Sequence, residues 1–197
     1  MKSINHPRQP RIETLQDFEQ ILKKGNLPLE KWTGQQGTKT IEDLFKEAAD
    51  GETEIETTPN GEVVRIVHVV TGDITYLDEE THQLYRLKED RQVSKVDESI
   101  KKRPHLHGAV AEKMKVGEDP VRSVLRGIKE ELGISGNFET GEEKLIEESR
   151  TTESYPGLNS IYKVHVVPVR IDESNFKPEG YVENQEKKTN YFVWEKI

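Results

Sequence analysis

The sequence predicts an α/β fold, a sandwich of helices around a mixed sheet, and three observations predict it. β-Branched runs lie on either side of a central amphipathic helix, VVRIVHVV before it and SIYKVHVVPVRI after it. Further segments with helical periodicity lie upstream and can cover a sheet face. The length of 197 residues suits one domain with an extension and is enough to bury a core.

Taken in order, residues 1–12 carry Pro7 and Pro10 among polar residues and read as a loose arm. A helix is expected from Thr14 to Lys24. Thr14 and Asp17 have capping-box spacing, Leu15, Phe18, Ile21 and Leu22 share a face, and Gly25 marks the stop. A second helix is expected over Ile41–Ala49, capped by Thr40, ended near Gly51 and apolar along Ile41, Leu44, Phe45 and Ala48. The linker between them holds Trp32, which needs a packing partner. Asn60-Gly61 signals a turn before the first long strand. DITYLDEE and HQLYRLKED then read as a hairpin, residues 91–104 as a charged loop, and His105–Ala111 as a strand. Beyond the central helix come LIEESRTTES, a Pro156-Gly157 turn, another strand, an exposed loop at 172–189, and YFVWEKI as a closing strand.

The central helix carries the chemistry. Asp119 is placed to be its N-cap and Pro120 takes the first helical position, where a missing N–H costs nothing. Gly133 falls where a left-handed residue ends a helix. Val121, Val124, Leu125, Ile128 and Leu132 form one apolar stripe. At about 100° per residue from Val121, Glu131 falls near ~280°, on the border of the stripe, and Glu130 near ~180°, facing outward. Arg126 is one turn before Glu130 and can pair with it. Adjacent carboxylates on one helix, with Glu118 just before it, repel unless a cation lies between them. Hard divalent cations that prefer oxygen, such as magnesium, suit that donor set.

Residues 112–134 resemble the Nudix box, G-x(5)-E-x(7)-R-E-U-x-E-E-x-G-U, where U is a bulky aliphatic residue. Glu118, Arg126, Ile128, Glu130, Glu131, Gly133 and Ile134 match without gaps. Two positions depart. The opening glycine of the motif falls at Glu112, and the glutamate after the arginine falls at Gly127. Gly117 still supplies a permissive backbone beside Glu118. In the family the replaced glutamate is commonly a metal ligand, so either ligands come from elsewhere in this chain or metal binding is weakened. Glycine inside a helix costs about 1 kcal/mol relative to alanine, so helix propensity does not account for it.

The resemblance covers roughly residues 60–197 and implies a Nudix-type α/β/α sandwich around a mixed sheet. Residues 1–59 then form a partly helical N-terminal extension, which could serve as a lid, a partner-binding surface or an oligomer contact such as a homodimer. The activity implied is metal-dependent hydrolysis, by water, of the pyrophosphate in a nucleoside diphosphate linked to another moiety. Its cofactor would be magnesium, with manganese able to replace it. Glu130, Glu131 and Arg126 are the implied catalytic residues, and Glu131, Glu130 and Glu118 the implied metal ligands. Glu118 has an equally good structural reading as the partner of Arg126. Family members often recruit a further acid from a loop as base, and Glu179, Glu183 and Glu186 are candidates here. The alternative is a catalytically weakened Nudix-fold module that binds a nucleotide or a protein partner. Gly127 favours that reading, and the retained acids favour the enzyme.

Other residues have both site and packing readings. His105 and His107 would share one face of a strand and could hold a metal or phosphate, although such histidines are usually half-buried strand residues. Tyr155, Tyr162, Tyr191, Phe192 and Trp194 could stack on a base, but aromatics in late strands mostly pack sheets. Composition narrows the partners. A net charge of −8 argues against a general nucleic-acid binder but allows a small nucleotide-type substrate, since metal ions screen phosphate from acids. Hydrophobic residues make up 32% and charged residues 34%, so exposed segments are expected. The chain has no cysteine, which excludes disulfides and thiolate metal sites and fits a cytoplasmic setting. No apolar run approaches the length of a membrane span, and the N-terminus lacks the apolar core of a secretory signal, so a soluble protein is expected.

Overall fold

A computed structural model of the chain describes residues 14–102 and 108–197. In chain order the elements are α1 (Leu15–Lys24), α2 (Ile41–Ala49), β1 (Glu54–Thr57), β2 (Val63–Asp78), β3 (Gln83–Ser94), β4 (Ile100–Lys101), β5 (Val110–Lys113), α3 (Pro120–Gly127), β6 (Glu139–Thr140), β7 (Lys144–Thr151), β8 (Asn159–Ile171), β9 (Tyr181–Asn184) and β10 (Lys188–Lys196). Helices combine with an extensive sheet, the α/β class that the sequence predicts. The chain divides into two compact units. One comprises the chain up to Val67 with Glu148–Tyr162, and the other His68–Glu147 with Lys163–Ile197.

In the first unit, Thr14 caps α1 by accepting from the Asp17 N–H at 3.1 Å. α2 opens with a full capping box, Asp43 N–H to Thr40 Oγ1 at 3.2 Å and Thr40 N–H to Asp43 Oδ2 at 2.9 Å. β1 pairs antiparallel with the start of β2, Thr57 opposite Val63, around the Asn60-Gly61 turn. Phe18, Leu22, Trp32, Leu44, Ile55, Val63, Tyr155 and Leu158 form the core. Trp32 finds its partner there, donating Nε1–H to the Pro156 carbonyl at 2.9 Å and meeting the Tyr155 ring edge-on. Glu47 is also buried on the inner side of α2. It accepts from Lys39 and Arg65, each at 2.5 Å, and from the Tyr155 hydroxyl at 3.1 Å.

In the second unit the strand order is β6-β8-β2-β3-β10-β9, with β5 added to β2 and β4 to β3. β5 pairs antiparallel with β2, Thr71 opposite Ala111 and Val70 opposite Glu112. The core gathers Val70, Ile74 and Leu87 with Val110, Val124, Ile128, Leu132, Val167, Val169 and Phe192. The apolar stripe of α3 is thus buried on the sheet beside β5.

Three sequence expectations need correction. Residues 91–94 are not loop. β3 continues to Ser94 because β10 pairs along it from Lys188 to Lys196, and β4 pairs at Gln92 and Val93. Paired backbone groups hold these residues as strand even though their side chains are charged. The expected loop at 172–189 contains a short 3₁₀ turn, Glu173–Asn175, and the strand β9, which is fixed by its pairing with β10. The strand expected over His105–Ala111 starts at Val110 and runs on to Lys113, into the box itself. Residues 103–107, with His105 and His107, lie outside the described residues. Among the described residues, no helix is long and apolar enough to cross a membrane.

Candidate active site

The box helix is built from the cues its sequence carries. The Asp119 carboxylate accepts from the Arg122 N–H at 2.8 Å, and Pro120 opens the first turn. Gly133 closes the helix at φ 67°, in the left-handed region. Ahead of it, Gly117 at φ 79° turns the chain so that the Lys115 N–H donates to Glu118 Oε2 at 3.0 Å. One feature departs from the expected regular helix. After Gly127 the backbone widens into a π-turn over Ile128–Leu132, a geometry found mostly as single turns and often at functional sites. Glu130 and Glu131 therefore stand on the wider turn. Glu130 remains exposed and Glu131 is half-buried.

Glu131 sits among like charges. Burial pushes its carboxyl up to about 8, with Glu183, Glu112 and Glu89 adding to the effect and a hydrogen bond from the Ala111 backbone opposing it. Glu112, half-buried on β5, is also raised, first by burial and then by Glu130. Arg126 lowers it, while Glu183 and Glu118 raise it further. Carboxylates from β3, β5, the π-turn and β9 thus act on one another across one region of the second unit.

Arg126 is engaged differently from the pairing with Glu130 that helical spacing allows. Its Nη1 donates to Glu118 Oε1, so both Glu118 oxygens are occupied, one by Arg126 and one by the Lys115 N–H. These bonds hold the Glu118 carboxyl down at about 2. Glu118 clamps the loop entering the helix to the helix's own second turn.

Of the three loop acids, Glu183 lies in the acidic region, while Glu179 and Glu186 are exposed. Glu183 is opposite Asn190 in the β9–β10 pair and accepts from its side chain at 2.5 Å and from Gln185 at 2.8 Å. Two residues were missed by sequence reasoning. Glu112 appeared there only as a departure from the motif. Glu89 carries no local signal. It lies beside an irregularity in the β3–β10 register, where Tyr191 faces Arg91 but Phe192 faces Glu89, leaving Asp90 as the extra residue.

The aromatic candidates resolve into packing roles. Tyr155 and Phe192 are buried in the two cores, and Arg150 lies over the Tyr162 ring. The Tyr191 face is covered by Arg91, and Trp194 packs on Phe176 while donating to the Lys177 carbonyl at 2.9 Å. Pro156 and Gly157 belong to the first unit's core contacts, through Trp32 and Pro28. Among the described residues, no three Asp, Glu or His side chains are gathered tightly enough to cage an ion as they stand. A cavity of about 460 Å³ is lined by Tyr76, Asp78, Arg170 and Asp172, among others, and by none of the box carboxylates.

No family model matches the sequence, and no curated protein matches it. Solved structures do. The chain is similar to an Ap4A hydrolase of C. elegans, at 12% identity, with 67% of this chain and 80% of that one covered and a TM-score of 0.36. It is similar to RenU, a Nudix hydrolase of M. smegmatis, at 12% identity over 71% of this chain and 79% of that one, with a TM-score of 0.39. It is also similar to a MutT/nudix family protein of Enterococcus faecalis, at 20% identity over 85% of this chain and 54% of that one, with a TM-score of 0.39.

Proposed function

We propose that this chain is a Nudix-type, metal-dependent hydrolase that cleaves the pyrophosphate of a nucleoside diphosphate linked to another moiety. The observation that carries the reading is the half-buried Glu131 carboxyl, which stands on the π-turn of a box-like helix and is raised by burial and by the charges of Glu183, Glu112 and Glu89. Burying charged acids together is unfavourable unless a proton or a cation compensates them, and an all-oxygen donor set selects a hard cation. Magnesium needs no closed protein cage. It keeps several waters and binds through one or two carboxylates together with substrate phosphates.

Glu131, with Glu130 beside it, is the pair that would hold the ion. Glu118 is committed to Arg126 and to the Lys115 N–H, and shapes the loop ahead of the helix. When bound, the metal supplies charge neutralisation at the phosphates and lowers the pKa of the attacking water. We assign Glu183, held by Asn190 and Gln185, as the acid that would take a proton from the attacking water. The site's negative charge also disfavours substrates that arrive without a metal ion.

A panel of nucleotide-linked pyrophosphates, incubated with magnesium and separately with manganese, tests the reading. Release of nucleoside monophosphate or phosphate is expected, and Glu131→Gln should remove it while the protein still unfolds cooperatively on heating. The second reading is a binding module, favoured by Gly127 in the place of the box glutamate. For that reading, panel members should raise the melting temperature and be recovered intact.

A further inference from the structure

The two departures from the box are far apart in sequence but meet in space. A Cβ placed on Gly127 would lie 2.7 Å from Glu112 Cγ and 2.9 Å from Val110 Cγ1, closer than side-chain carbons pack. The Glu112 side chain, reaching over from β5, occupies the space that a side chain on this turn of α3 would need. Its carboxyl carbon is 3.7 Å from the position of that Cβ. Where the motif has glycine on the strand and glutamate on the helix, this chain has glutamate on the strand and glycine on the helix. The glycine on the helix makes room for the glutamate on the strand.

We infer that Glu112 supplies, from the strand, the metal-binding carboxylate that Gly127 cannot supply from the helix. The inference rests on the metal-dependent reading above and adds a residue to it. Three features of the chain agree with it. Glycine within α3 is unfavourable by about 1 kcal/mol relative to alanine, and the close approach of Glu112 and Val110 is what requires it. The Glu112 carboxyl carbon borders the helix at Gly127, 3.7 Å from a Cβ there, and the charges of Glu130, Glu183 and Glu118 act on its carboxyl. β5 is locked to β2 by its register at Val110–Lys113, so the side chain is presented from a rigid element. The exchange keeps the number of acids constant and moves one of them from one wall of the site to the facing wall.

Manganese binding to the intact protein, followed by calorimetry and by the electron paramagnetic resonance of free Mn²⁺, tests the exchange without relying on turnover. Glu112→Gln is expected to weaken Mn²⁺ binding at least tenfold and to keep the wild-type melting temperature in metal-free buffer. Gly127→Glu alone is expected to destabilise the protein and to gain neither affinity nor activity, because its side chain meets Glu112. The double variant Glu112→Gly/Gly127→Glu returns the carboxylate to the helix and should bind Mn²⁺ within threefold of wild type. If Glu112→Gln binds Mn²⁺ as wild type does while Glu131→Gln does not, the exchange is overturned and the metal site stands. If the wild-type protein binds no Mn²⁺ at millimolar concentration, the metal-dependent reading falls and the exchange falls with it.

Discussion

Asn190 donates its side-chain N–H to Glu183 Oε2 at 2.5 Å, and the two residues stand opposite each other on β10 and β9. Asn190 is only 3% exposed, so the donor is fixed by packing, and Gln185 holds the other carboxylate oxygen at 2.8 Å. A carboxylate held by two amides keeps one orientation, which a general base requires. Glu183→Gln should lower kcat by about 100-fold or more, within the range usual for loss of a general base, and leave Mn²⁺ affinity within a few-fold. Asn190→Ala should lower kcat more than it raises KM. A full-rate Glu183→Gln enzyme would remove Glu183 from the chemistry.

The state of Glu131 sets a pH dependence that can be read without substrate. Its carboxyl rises from 4.5 to about 8 on folding, because burial and neighbouring acids disfavour the charged form. Between those values the folded protein holds more protons than the unfolded chain. The stability associated with Glu131 is therefore complete below about pH 4.5, is lost as pH rises toward about 8, and changes no further above it. In metal-free buffer the melting temperature of wild type should fall through this window relative to that of Glu131→Gln. Millimolar Mn²⁺ at pH 8 should raise wild type but not the variant. Parallel curves across the window would show that Glu131 ionises freely.

A different acid stabilises the first unit. Glu47 and Arg65 are 7% and 4% exposed and meet at 2.5 Å, with Lys39 and the Tyr155 hydroxyl on the other Glu47 oxygen. Removing one partner leaves a buried guanidinium without its counter-charge, which typically costs about 3–5 kcal/mol. Glu47→Ala should therefore lower the urea midpoint sharply. Glu47→Gln, which retains hydrogen-bonding atoms, should lower it less. Equal, small effects for both would mean that water reaches the pair.

How much of this was legible in the sequence depended on whether a feature was local. Thr14, Thr40 and Asp119 cap their helices through residues three positions away, and Gly133 ends its helix through its own φ, so each could be read directly. Features made by distant residues could not. β9 is a strand because β10 lies beside it, although EGYVENQEKK reads as a polar loop. Glu47 falls inward on α2 because Arg65 and Tyr155 receive it there, and hydrophobic periodicity counts such a position as surface. The box marked Glu130 and Glu131 and the helical stripe ordered their burial, but the π-turn that carries them had no sequence signal. Gly127 and Glu112 were each visible as exceptions to the motif. Only the structure brings the two into contact.

Arg126 gives the last prediction, since its role turns on its partner. Its guanidinium donates to Glu118, with side-chain exposures of 44% and 22%, so solvent screens the pair and it should contribute no more than about 1 kcal/mol. The Glu118 carboxyl is lowered from 4.5 to about 2, so the contribution is present above about pH 4.5 and is lost as pH falls toward about 2. A double-mutant cycle of Arg126→Gln and Glu118→Gln, run by urea unfolding at pH 7 and pH 3, should give a small coupling energy that shrinks at the lower pH. If Glu118 instead acts mainly as a metal ligand, the coupling is absent in metal-free buffer. Glu118→Gln would then lower Mn²⁺ affinity as far as Glu131→Gln does. The Arg126 guanidinium already neutralises Glu118, which favours the first outcome, in which Arg126 fixes the entry to the helix and the proposed ion falls to Glu131.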